Sequence, residues 1–123
     1  MFSVSAAVLS SRDANALAAF YQQLLEWKVV DEEHGWVRLK PPGGGMGLSF
    51  QTEPEYVAPT WPPAAGAQQM MVHLDIGTDD VERGVERALK LGAKLAAHQP
   101  QAGVRVMLDP AGHPFCLFPM AAS

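Results

Sequence analysis

Cysteine is almost missing from this chain: Cys116 stands alone among 123 residues. That excludes an internal disulfide and any zinc site built on cysteine pairs, and it makes the reducing cytoplasm the expected compartment. Basic charge is also scarce. Nine Lys and Arg face thirteen Asp and Glu, for a net charge of −4, and the basic residues are scattered singly. The footprint that a phosphate backbone requires is lacking, so no nucleic acid is expected as a partner. No apolar run approaches the roughly 20 residues of a membrane span, and no membrane association is expected. The apolar segment Met1 to Ser10 has no basic leader and reads as a strand rather than a signal peptide. The length is too small for a two-domain enzyme with a dinucleotide-binding half.

What is present is a composition of 48% apolar and 18% charged residues, that of one small globular domain with its own core. Gly and Pro gather in Pro41-Pro42-Gly43-Gly44-Gly45 and in the stretch from Glu53 to Gly66. The chain is punctuated there and not disordered throughout. Gly43 to Gly45 form a hairpin-type turn with no helix after it, so neither a P-loop nor a dinucleotide loop can be placed, and no Ser-His-Asp arrangement is found.

Internal repetition is the most informative pattern. Val8-Leu9-Ser10-Ser11-Arg12-Asp13 leads into Leu17, Phe20, Tyr21 and Leu24, one helix face, and then into a strand-like Trp27-Lys28-Val29-Val30. In the second half, Leu74-Asp75-Ile76-Gly77-Thr78-Asp79 leads into Val81, Val85, Ala88 and Leu89, followed by Gly92-Ala93-Lys94-Leu95. This alignment pairs Val8 with Leu74 and Asp13 with Asp79. Thr78 or Asp79 is the expected cap of the second helix, with Glu82 at capping-box spacing from Asp79, and Gly92 is its expected stop. Farther on, Gly35-Trp36-Val37-Arg38-Leu39 mirrors Gly103-Val104-Arg105-Val106-Met107. The expected fold is α+β, two tandem βαβββ modules forming curved mixed sheets around a concave pocket. Module one covers about 1–52, a Pro-rich linker about 53–68, and module two about 69–123.

Ala18-Ala19-Phe20-Tyr21, Leu24-Leu25-Glu26-Trp27, His73-Leu74-Asp75-Ile76, Leu91-Gly92-Ala93 and the run Leu108 to Cys116 together resemble the vicinal oxygen chelate superfamily. Glyoxalase I, extradiol dioxygenases, fosfomycin-resistance enzymes and bleomycin-resistance proteins belong to it, and this chain is most similar to its glyoxalase-like group. The resemblance implies the fold across nearly the whole chain, while one such scaffold hosts several chemistries. It also implies a divalent metal held from the first and fourth strands of each module. Here the first strand of module one offers Ala7, its last strand Leu48 or, shifted by one, Ser49, and the last strand of module two Cys116. Only His73 matches, so no metal or other cofactor is expected.

Strand alternation puts Val72, Leu74 and Ile76 under the helix and Met71, His73 and Asp75 on the pocket side. Residues two apart on one strand stand well separated, so Asp75 is not expected to reach the His73 ring. Cys116 and Phe118 face the same way as His73. No basic residue or helix start can be placed beside Cys116, so nothing lowers its pKa. Trp36 and Arg38 share the face opposite Val37 and Leu39, where Trp36 offers a stacking wall. Trp61 in the linker reads equally as a lid or as a dimer contact or an exposed ring held against the sheet edge. His34, His98 and His113 read as solvated, and Asp109-Pro110-Ala111-Gly112 as a tight turn without catalytic meaning.

The resulting candidate pocket comprises His73, Asp75, Trp36, Arg38, Cys116, Phe118 and Trp61. The preferred reading is a bleomycin-resistance-like protein that binds a small organic ligand without metal, as a homodimer. The alternative is a divergent lyase, isomerase or dioxygenase that uses a divalent metal on His73 with Cys116, Gln51 or Glu53. A third reading is a subunit whose free sheet face is filled by another chain.

Overall fold

The computed structural model describes residues 1–120, and the chain divides into two compact units, Met1–Tyr56 and the residues from Val57 onward. The first unit contains β1 (Ala6–Ser11), α1 (Ala14–Leu25), β2 (Lys28–Glu33), β3 (Trp36–Lys40) and β4 (Gly47–Thr52). The second contains β5 (Leu74–Thr78), α2 (Val81–Leu91), β6 (Lys94–Leu95), β7 (Arg105–Leu108) and β8 (Pro114–Pro119). Each unit is thus strand, helix, strand, strand, strand. The sheets run β1-β4-β3-β2 and β5-β8-β7-β6, with β1 parallel to β4 and β5 parallel to β8. Parallel neighbours need a crossover, and the helix of each unit supplies part of it on one sheet face. The expected α+β fold of two repeated modules with mixed sheets is what the chain forms. No helix among the described residues is long and apolar enough to cross a membrane.

The helix starts correct the repeat alignment. In α1 the Ser11 hydroxyl accepts from Asp13 N at 3.0 Å, and the Asp13 carboxylate accepts from Ala16 N at 3.1 Å. In α2 the same device is Thr78, which accepts from Asp80 N at 3.3 Å, and Asp80, which accepts from Arg83 N at 3.1 Å. Asp80, and not Thr78 or Asp79, is therefore the N-cap. Glu82 lies in the first turn only two positions on, so the expected capping box does not form. Ser11 pairs with Thr78 and Asp13 with Asp80, one residue later than the sequence alignment had it. His73 then answers to Ala6, and Cys116 answers to Ser49, as the strand registers agree: Val8 lies opposite Ser49, and Asp75 opposite Cys116. Gly92 does end α2, at φ 115°, a left-handed position that glycine occupies without strain.

The core of the first unit forms where α1 lays Leu17, Phe20 and Tyr21 on Val37, Leu39, Leu48 and Phe50, all buried. The Tyr21 ring stacks on Phe50 with centroids 5.6 Å apart and meets Phe20 edge-on at 4.9 Å. Leu24 and Trp27, expected in this core, are half-buried. The second unit packs more thinly. Its sheet contributes Met107, Phe115 and Leu117, but the only buried residue of α2 is Ala88. Val81 and Val85 are half-buried, and Leu89 is 45% exposed, so the expected apolar stripe is only partly covered. Val72 was expected under the helix, yet it precedes β5 and is exposed.

Strand β6 is two residues long because a side chain interrupts its ladder. Ala96 N donates to Val106 O at 3.0 Å, but the returning bond is missing: the Gln99 carboxamide lies between the strands instead. It donates to Ala96 O and accepts from Val106 N, both at 2.8 Å. The linker closes on itself where Thr60 N and Oγ1 donate to Gln68 O at 2.9 and 3.1 Å. The turn after β7 is held by buried Asp109, whose carboxylate accepts from Ala111 N at 2.9 Å and His113 N at 3.0 Å. His113, expected to be solvated, is half-buried, whereas His34 and His98 are exposed.

Candidate functional site

On β8, Phe115 and Leu117 are buried toward α2, so the alternating Cys116 and Phe118 point away from it. Asp75 is the parallel neighbour of Cys116 and stands on the same face. His73 comes one residue before β5 begins, free of the pleat, and its ring turns back on Asp75. The Nε2 to Oδ1 distance is 3.1 Å. The expected separation of these two side chains is thereby corrected, for the reason that it assumed regular strand geometry at His73. With 40% and 64% of their side chains exposed, the pair contributes little to stability.

Cys116 is half-buried. Its thiol titrates above its ordinary value, first because burial disfavours the thiolate, then because the Asp75 charge repels it and the Asp75 carboxylate accepts its hydrogen bond. A protonated thiol is a poor nucleophile, in line with the expectation that nothing nearby activates it.

His73, Asp75 and Cys116 bring one donor atom each within 4.8 Å of one another. They line one side of a cleft of about 320 Å³, completed by Gln101, Val104 and Phe118. Four of the seven residues expected in a pocket, His73, Asp75, Cys116 and Phe118, are brought together here. Gln101 and Val104 come from the 98–104 connection, where no motif or periodicity marks them. The donor set is chemically suited to a metal ion: imidazole nitrogen, carboxylate oxygen and thiolate sulfur are all zinc ligands, and three protein ligands leave a fourth position open. Such an ion would supply Lewis acidity at the cleft.

The other expected site residues have other surroundings. Trp36 and Arg38, in the first unit, stand on the β3 face turned away from α1, Trp36 opposite Gln51 and Arg38 opposite buried Ser49. Trp61, half-buried, donates from Nε1 to His98 O at 3.0 Å, with its ring 5.8 Å from the His98 ring. Gln51 lies inside β4, where it donates to Ser10 Oγ at 2.9 Å, and Glu53 accepts from Glu55 N at 3.1 Å.

Residues 6–118 match the family model described as Glyoxalase-like domain. Among solved structures, the chain is similar to a glyoxalase/bleomycin resistance protein/dioxygenase family enzyme from Burkholderia phytofirmans PsJN. Identity is 20%, the match covers 95% of this chain and 98% of that one, and the TM-score is 0.69. A genomically encoded fosfomycin resistance protein from Listeria monocytogenes, FosX, solved with Mn(II) and dihydroxypropylphosphonic acid, is 16% identical over 96% of this chain and 90% of that one, with a TM-score of 0.69. A bleomycin resistance determinant encoded on transposon Tn5 is 20% identical over 98% and 100% of the two chains, with a TM-score of 0.61. At these identities the likeness is one of fold. No curated protein matches the sequence.

Proposed function

The chain belongs to the glyoxalase-like domain family, and from that premise we propose that it binds a small organic ligand in the cleft of its second unit, without requiring a metal. The observation that carries this reading is the convergence of His73, Asp75, Gln101 and Cys116 beside Val104 and Phe118, around about 320 Å³. A few polar groups on an apolar wall in such a volume is the usual make-up of a small-molecule site. Phe118 and Val104 take the apolar body, and His73, Asp75 and Gln101 orient polar substituents. The bleomycin resistance determinant of the same fold supports the reading. On the first unit's own sheet face, Trp36 and Arg38 offer a ligand a stacking surface and a cation, and the proposal takes a homodimer in the cytoplasm as the working form.

One observation favours a second reading, a divalent metal held by His73, Asp75 and Cys116, whose donor atoms already lie within 4.8 Å of one another. The manganese-containing fosfomycin resistance protein of the same fold supports it. Native mass spectrometry of gently purified protein separates the two. An organic adduct on a metal-free protein, lost in His73→Ala and weakened in Phe118→Ala, is the expected result. One metal per subunit, lost in both His73→Ala and Cys116→Ser, replaces the first reading by the second. The same spectrum gives the subunit number.

A further inference from the structure

The second unit has another cavity, about 490 Å³, on the sheet face opposite the His73 cleft. Arg105, on its wall, is the β7 partner of Leu117, which faces α2, so the cavity lies on the helix side. Two departures from the first unit accompany it. Gly84 and Ala88 stand where α1 has the buried Leu17 and Tyr21, so α2 brings little volume to the sheet. The Gln99 carboxamide ends β6 early, and the chain from Ala102 to Arg105 forms a separate wall instead of continuing a ladder.

Val81, Val85 and Leu95 make the lining apolar, while Glu82 and Glu86 stand one helical turn apart along it. Among the described residues, neither carboxylate takes part in an ion pair or a side-chain hydrogen bond. Arg105 keeps its charge on the opposite wall, its guanidinium fixed by backbone carbonyls: Gln101 O at 3.3 Å, Val104 O at 2.8 Å and Ala102 O at 3.0 Å. With Glu82 and Glu86 against Arg105, the lining is left with an excess of one negative charge. Two like charges at this spacing are mildly unfavourable to the helix, and a cation seated between them relieves the repulsion. A pendant apolar body would cover the half-buried valines.

We propose that this cavity is a second ligand site, separate from the cleft, that takes a small amphipathic cation: an ammonium group on a short aryl or alkyl body. The experiment is a titration of the isotope-labelled protein, followed by amide NMR, with 2-phenylethylammonium, neutral 2-phenylethanol and anionic 3-phenylpropionate. Saturable shifts at residues 81–86, 95 and 102–105 are expected for the cation, weaker ones for the alcohol, and none for the acid. The Glu82→Gln/Glu86→Gln variant, which keeps good helix formers at both positions, is expected to weaken cation binding on the order of fivefold. Equal response to cation and alcohol, unchanged affinity in the variant, or shifts at His73, Asp75 and Cys116 in place of the cavity residues overturns the proposal. So does the absence of any shift at millimolar probe.

Discussion

The two units of this chain share a topology and divide its burdens. In the first, α1 spends large side chains on the sheet, with Leu17 and Tyr21 buried to 1% and 0% exposure, while the opposite sheet face presents Val8, Ser49 and Trp36 at the positions that answer to Asp75, Cys116 and Val104 of the cleft. In the second, α2 presents Gly84 and Ala88 to the sheet, and the equivalent face carries Asp75 and Cys116 with His73 beside them. Where the repeat invests in packing it is chemically quiet, and where it carries reactive groups its helix is lightly anchored. A duplicated scaffold can separate the two requirements in this way, since one copy sustains a core while the other varies.

The comparison breaks most readily at Tyr21. Tyr21→Ala removes a fully buried ring stacked on Phe50 and is expected to cost about 3–5 kcal/mol in denaturant unfolding; a loss below about 1 kcal/mol would show that the first unit does not carry the core. Next comes the turn that follows the third strand of each copy. In the first unit it is built from Gly43 to Gly45, all at positive φ, whereas in the second a buried carboxylate holds two amides. Asp109→Ala is expected to cost about 2 kcal/mol by the same measurement. Filling the emptied helix has the opposite sign. A Cβ at Gly84 meets Leu117 Cδ1 at 3.4 Å and Thr78 Cγ2 at 3.5 Å, ordinary contacts, so Gly84→Ala is expected to stabilise by about 0.5–1 kcal/mol.

The site itself responds in reactivity more than in stability. Asp75→Asn removes the charge and the strong acceptor that help keep the Cys116 proton in place, so alkylation of Cys116 by iodoacetamide at pH 8 is expected to speed up by about threefold. An unchanged rate would leave burial as the whole cause. The sign for stability follows from the same shift. The folded thiol holds its proton more tightly than the unfolded one, so its contribution is complete below the ordinary thiol value and is lost as pH rises toward the folded value. The smallest effect on stability belongs to His73→Ala, below about 0.5 kcal/mol by thermal unfolding, because the His73–Asp75 pair is exposed.

The repeat, the succession of elements along each module and the face carrying Cys116 and Phe118 were all legible in the sequence, because period-two burial and the recurring helix face leave their mark on residue type. The alignment slipped by one at Asp79-Asp80, where two adjacent aspartates offer the same capping chemistry and the bond from Arg83 N to the Asp80 carboxylate decides between them. With the slip went the match of Leu17 to Gly84 and Tyr21 to Ala88, and so the thin packing of α2 stayed hidden. His73 meeting Asp75 was hidden for a different reason: side-chain direction is regular inside a strand but not one residue before it. Gln101 and Val104 come from an irregular connection whose course no periodicity encodes.

The Gln99 carboxamide has one more consequence. By offering one donor and one acceptor to the Ala96 carbonyl and the Val106 amide, it imitates a peptide group while having no chain to continue. The last rung of the second sheet is thus capped by a group from which pairing cannot propagate. A short outer strand ending in such a plug is a poor template for a stray β-segment, so the region that gave up packing keeps a safeguard against aggregation along its edge.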